Sequence, residues 1–74
     1  MIKIGIIGMG YWGPNLFRNF NANKKFQIKY ICDTKTDNLK NYLNLNKNII
    51  GVKDYRLIIN DKSVDAIIIA TPVN

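Results

Sequence analysis

An α/β fold built on a parallel sheet is what this 74-residue sequence predicts. Three observations predict it. Short isoleucine-rich runs alternate with segments of helical period, the pattern of successive strand–helix–strand units. A glycine-rich turn, Gly8 to Gly13, stands between the first such run and the first helical segment. A last apolar run, VDAIIIA from Val64 to Ala70, is framed by the turn residues Asp61-Lys62-Ser63 and Thr71-Pro72.

Taken in order, Ile2 to Ile7 (IKIGII) is a short apolar run closed by glycine and reads as a buried strand central to a parallel sheet. Pro14 to Phe20 follows as a helix. Leu16, Phe17 and Phe20 fall on one face, and Pro14 sits in the first turn, where its missing N–H costs nothing. The asparagines between Asn19 and Asn23 end it. Phe26 to Cys32 alternates as a second strand, with Phe26, Ile28, Tyr30 and Cys32 on one side and Gln27, Lys29 and Ile31 on the other. Thr34 or Thr36 caps a second helix that buries Leu39, Tyr42 and Leu43. Ile49 and Ile50 suggest a short third strand before Gly51. Asp54 to Asn60 reads as a short helix with Leu57 and Ile58 inward, and Val64 to Ala70 as the fourth strand.

The order β-α-β-α-β-α-β implies right-handed crossovers and helices on both faces of the sheet. A Rossmann-type arrangement then sets the strand order 3-2-1-4. The segment shows no internal repeat, linker or low-complexity tract, so residues 1–74 read as a single unit.

Bulk properties narrow the function classes. A chain this short buries only about 60% of the surface its unfolded form exposes, so its stability margin is thin. An apolar fraction of 47% excludes a disordered tail. No apolar run approaches the ~20 residues that cross a bilayer, and the first residues do not form a secretory leader. A single cysteine excludes an internal disulfide framework, and with no histidine and no glutamate a metal site is not expected. Together these features point to the cytoplasm. The net charge of +6 raises the question of nucleic acid. The lysines are spread along the chain without interleaved aromatics, so the expectation is a solvated basic surface that helps steer an anionic small molecule.

The chemistry sits in the turn. Gly8 allows a tight exit from the first strand. Gly10 lacks a Cβ, so the backbone can approach a pyrophosphate. Gly13 lets the helix pack against the strand. The helix start then offers free N–H groups and roughly half a positive charge to phosphates. A lone G-x-G-x-x-G is weak evidence, since glycines also mark plain turns. Here it follows a strand, opens a helix and is followed by a second strand ending in an acid. That acid, Asp33, lies 20 residues beyond Gly13 at a strand end. Its carboxylate can accept from the adenosine ribose hydroxyls and would repel a 2′-phosphate, which favours NAD(H) over NADP(H). The neighbouring Lys35 works the other way. Tyr11 and Trp12 lie inside the turn, where their amides face a pyrophosphate and their rings wall the cleft. Thr71 and Pro72 leave the fourth strand across the topological switch point, where they would line the ribose and nicotinamide half. Cys32 reads as a small buried strand residue.

These residues resemble the N-terminal NAD(P)-binding domain of the glucose–fructose oxidoreductase / inositol dehydrogenase (Gfo/Idh/MocA) family. The matching stretches are IGIIGMGYWGPNLFRNF from Ile4 to Phe20, the pair Cys32-Asp33, the triplet Asp54-Tyr55-Arg56, and VDAIIIATPVN from Val64 to Asn74. The resemblance implies an enzyme moving hydride between a nicotinamide cofactor and a hydroxyl-bearing carbon of a sugar, cyclitol or nucleotide sugar. It implies cofactor contacts at Gly8, Gly10, Tyr11, Trp12, Gly13, Asp33, Thr71, Pro72 and Asn74. The family's catalytic lysine, in an EKP-like segment, and its downstream Asp/His pair have no counterpart in these 74 residues, so no catalytic residue is assigned.

The expectation is therefore the N-terminal part of a cofactor domain, without its substrate domain and inactive alone. In such a truncation, residues 64–70 form a bare, β-branched edge expected to self-associate. The alternative is an NAD(H)-sensing module without catalysis. A methyltransferase half-domain using S-adenosylmethionine has a similar glycine loop and strand-ending acid.

Overall fold

A computed structural model of the chain describes residues 1–71. Four strands and three helices alternate: β1 (Ile2–Ile7), α1 (Gly13–Ala22), β2 (Phe26–Cys32), α2 (Asp37–Leu45), β3 (Ile50–Val52), α3 (Arg56–Ile59) and β4 (Ala66–Ile69). The sheet order is β3-β2-β1-β4, with every neighbouring pair parallel. This is the Rossmann-type order 3-2-1-4 expected from the sequence.

The two faces of the sheet carry different cover. On one, Ile4, Ile6, Ile28 and Ile31 form a core with Phe17 of α1 and Leu39 of α2. On the other, Gly5 leaves room for Ile58 of α3, whose Cγ2 stands 2.6 Å from where a Cβ on Gly5 would be. Helices therefore lie on both faces.

Five local expectations are corrected. β2 does not alternate throughout. Ile4 pairs with Ile28 and Gly5 with Tyr30, so Lys29 is skipped and the strand bulges. The bulge returns Ile31 to the face of Ile28, and both are buried. The third strand begins at Ile50, one residue later than the isoleucine pair suggested, and runs through Gly51 to Val52. α3 is only four residues long, with Asp54 accepting from the Arg56 amide at its start. One turn can bury one side chain, so Ile58 is fully buried while Leu57 stays 57% exposed. Thr36 holds the N-cap position of α2 but makes no side-chain cap. β4 is shorter than the apolar run, although the Asp65 and Ala70 amides still donate to Lys3 and Ile7 carbonyls on β1.

Candidate functional site: the cleft at the carboxyl ends of the strands

The turn after β1 takes the shape its glycines permit. Gly8 has φ +95°, a region that side-chain-bearing residues rarely adopt, and its amide donates to the Cys32 carbonyl at 2.8 Å. A Cβ on Gly13 would collide with the Gly8 carbonyl oxygen, so α1 can start this close to β1 only with glycine there. Gly10 differs. A Cβ there would meet nothing of the protein nearer than the Asn38 amide nitrogen, at 3.5 Å. Packing within the chain does not require glycine at this position. The space it leaves opens onto the cleft.

Among the described residues, none accepts a hydrogen bond from the amides of Gly10, Tyr11 or Trp12. They lie just ahead of α1, which carries Pro in its first turn and no acidic residue there. Unpartnered amides, a helix start and a glycine facing open space form a donor set suited to an anion.

The cleft beside this turn has a volume of about 580 Å³, within the range of small-molecule sites. Its walls come from the carboxyl ends of all four strands: Ile7 and Gly8 after β1, Cys32 and Asp33 after β2, Lys53 after β3, and Ala70 and Thr71 after β4. That is the switch point of an open parallel sheet. A hollow of about 610 Å³ at the opposite rim, among Asn21, Lys24, Asn46 and Lys47, brings together neither an acid nor a glycine turn.

Asp33 is half-buried and held from three sides. Its Oδ2 accepts from the Met9 amide at 2.9 Å and from Asn38 Nδ2 at 3.1 Å, and its Oδ1 from the Lys35 amide at 2.8 Å. Burial pushes the carboxyl pKa up, but these hydrogen bonds and the Lys35 charge outweigh it, and the net shift is downward. Asp33 is therefore a carboxylate at neutral pH, tied to the glycine turn through Met9. The adjacent Cys32 thiol is buried and donates to the Lys53 carbonyl at 3.6 Å. Burial, with Asp33 and Asp54 nearby, pushes its pKa up, so it stays a thiol.

The structure brings Gly8, Gly10, Tyr11, Asp33 and Thr71 to one cleft. Gly13 lies behind the turn. The Trp12 ring is not part of the lining; it packs edge-on against Tyr11 with centroids 4.9 Å apart. Pro72 and Asn74 lie outside the described residues. Sequence reading missed Asn38, Lys53 and Tyr55, which also line the cleft. Asn38 is the second residue of α2 and looked like part of its polar face. Lys53 and Tyr55 lie on the turn after β3, whose position over the cleft follows only from the crossover.

Such a sheet and turn define a nucleotide-binding domain of the α/β class. A family model described as an oxidoreductase family with an NAD-binding Rossmann fold matches residues 2–74, and the chain belongs to that Gfo/Idh/MocA family. The 2,7-anhydro-N-acetylneuraminate hydratase of Escherichia coli K12 is 30% identical over 73 residues, covering 97% of this chain and 18% of that protein. Among solved structures, scyllo-inositol dehydrogenase from Lactobacillus casei, with bound NAD(H) and scyllo-inositol, superposes with a TM-score of 0.80. It is 22% identical, over 97% of this chain and 22% of its own. A mutant 3-ketoreductase from Actinomadura kijaniata, in complex with NADP, gives a TM-score of 0.81 at 19% identity, over 96% and 23%. The chain thus spans about a fifth of the length of these proteins. Among the described residues no helix is long and apolar enough to cross a membrane.

Proposed function

We propose that this chain holds the cofactor of an NAD(H)-dependent enzyme that moves hydride between the nicotinamide and a hydroxyl-bearing carbon of a sugar, cyclitol or nucleotide sugar. The observation that carries this reading is the meeting of unpartnered glycine-turn amides with an ionised Asp33 across one cleft. In this reading the Gly10, Tyr11 and Trp12 amides donate to the pyrophosphate. Gly8 and Gly13 keep the turn tight, and Tyr11 walls the cleft. Thr71, followed in sequence by Pro72 and Asn74, faces the nicotinamide half. Asp33 accepts from the ribose. Its fixed negative charge favours NAD(H) over NADP(H), although Lys35 and Lys53 also line the cleft. The bound nicotinamide supplies or accepts the hydride, and no acid–base residue is assigned within the 74 residues.

A substrate domain beyond Asn74 is part of this proposal, supported by the fraction of each relative that the chain covers. So is pairing of two chains through the β4 edge, which has no second strand beside it among the described residues. A cytoplasmic setting fits the lone, buried Cys32. Because the curated relative is named a hydratase, the net reaction of the longer enzyme is what a substrate assay has to decide.

Titration of the chain with NADH tests the cofactor reading. The expected result is saturable quenching of Trp12 with sensitised NADH emission, weakened at least tenfold by Asp33→Ala and absent with S-adenosylmethionine. A response to the methyl donor, or no saturable response to NADH, overturns it.

A further inference from the structure

Asp33 carries more donors than one ribose acceptor needs. A carboxylate offers about four acceptor sites. Two donors converge on Oδ2, the Met9 amide and Asn38 Nδ2, while Oδ1 takes only the Lys35 amide. Spare capacity therefore lies on Oδ1, and the pair on Oδ2 decides which oxygen that is. The Met9 amide belongs to the glycine turn and is fixed by backbone. Asn38 is the one side chain among the three donors, half-buried at the start of α2. Its Nδ2 also faces the space left open by Gly10. Asn38 thus stands between the acid it bonds and the space that Gly10 leaves open.

The bond matters because cations are at hand. Lys35 and Lys53 both line this cleft. A carboxylate free to rotate could swing onto a lysine, and the cleft would then accept a 2′-phosphate. A carboxylate held on Oδ2 cannot retreat, and a phosphate brought to Oδ1 meets a negative charge fixed in place.

We propose that Asn38 is a positioning residue that sets cofactor specificity: by holding Asp33 Oδ2, it directs Oδ1 at a ribose 2′-hydroxyl and makes the cleft prefer NAD(H) to NADP(H). This rests on the dinucleotide reading of the cleft.

The test is a double-mutant cycle on the 74-residue chain, titrated with NADH and with NADPH. Asn38→Ala narrows the ratio of the two affinities at least fivefold. Asn38→Gln, which keeps an amide donor, retains most of the preference. With Asp33→Ala already present, Asn38→Ala changes the ratio less than twofold. Should Asn38→Ala lower the melting temperature, Asn38→Ser supplies the same comparison. The inference is overturned if Asn38→Ala weakens both dinucleotides by one factor, or if its effect on the ratio is the same with and without Asp33. In either case wild-type preference for NADH leaves the cofactor reading standing. A wild-type chain that binds neither dinucleotide overturns both.

Discussion

The two faces of the sheet are built from the same isoleucine-rich strands, yet they are stabilised differently. Under α1 and α2, which run ten and nine residues, Ile4, Ile6, Ile28 and Ile31 are shielded almost completely by Phe17 and Leu39. Among the described residues, the far face has only four-residue α3. Ile67 and Ile69 sit in register with Gly5 and Ile7 and so share that face, where Ile69 is 69% exposed. Ile58 alone reaches the sheet from α3. A polar cluster takes over where apolar cover stops. Asp61 accepts from Tyr30 Oη at 2.6 Å and pairs with Lys29 Nζ at 2.7 Å, while Ser63 bonds both Lys29 and Asp61. One face is held by packing. The other is held by one isoleucine and a hydrogen-bonded staple between β2 and the turn before β4.

The largest expected difference comes from truncating one apolar side chain on each face. Phe17→Ala leaves a hole beside Leu39 and the four shielded isoleucines, and such truncations cost about 3–5 kcal/mol. Domains carry only ~0.05–0.15 kcal/mol per residue, so this removes much of the stability of so short a chain. Ile69→Ala, on the open face, changes stability by about 0.5 kcal/mol or less. Urea unfolding followed through Trp12 measures both. Equal losses would mean that the two faces are not as different as their exposure implies.

The same contrast explains what was legible in the sequence. Elements that bury a long periodic stripe were readable: α1 from Leu16, Phe17 and Phe20, β1 from IKIGII, and the whole strand order from the alternation of strands with helices. The glycine turn was readable because Gly8 and Gly13 answer backbone demands and Gly10 leaves its space to the cleft. The bulge at Lys29 was not, because it answers a register set by β1 rather than any property of β2 itself. The exposure of Leu57 was not, because a single turn of helix has no period to read. At the cleft, Asp33 stood out as an acid at a strand end. Its partner Asn38 did not, because an asparagine in a first helical turn looks the same whether it faces solvent or a carboxylate.

The second expected effect sharpens the account of the far face through pH. The hydrogen bond from Lys29, then those from Tyr30 and Ser63, hold the Asp61 carboxyl far below its ordinary 3.8. A carboxylate whose folded pKa is depressed stabilises the fold fully above its unfolded pKa, and that contribution is lost as pH falls toward the folded value. For Asp61 the loss begins near 3.8 and continues downward. Urea midpoints measured from pH 5 to pH 2 are expected to fall more steeply in the wild type than in Asp61→Asn, which has lost the charge at every pH. Parallel acid limbs would remove Asp61 from the account. The bonds that lower Asp33 belong to the cleft, so Asp33→Asn, compared in the same series, separates the two ends of the sheet.

The smallest expected effect on stability carries the largest effect on association. Ile69→Lys puts a charge on a side chain that is already mostly in water, so the folding free energy changes by about 0.5 kcal/mol or less. On an edge strand, however, an added lysine is a deterrent to pairing, because a second β4 laid alongside would have to desolvate it. Ile67 and Ile69 of β4 are exposed apolar side chains on the strand that, among the described residues, forms an edge of the sheet, and Leu57 and Ile59 of α3 are exposed as well. Sedimentation of the wild type is expected to show concentration-dependent dimers, and Ile69→Lys a monomer at the same loading. If the lysine variant instead loses more than about 1 kcal/mol while association is unchanged, Ile69 is packed within its own chain and the far face is closed after all.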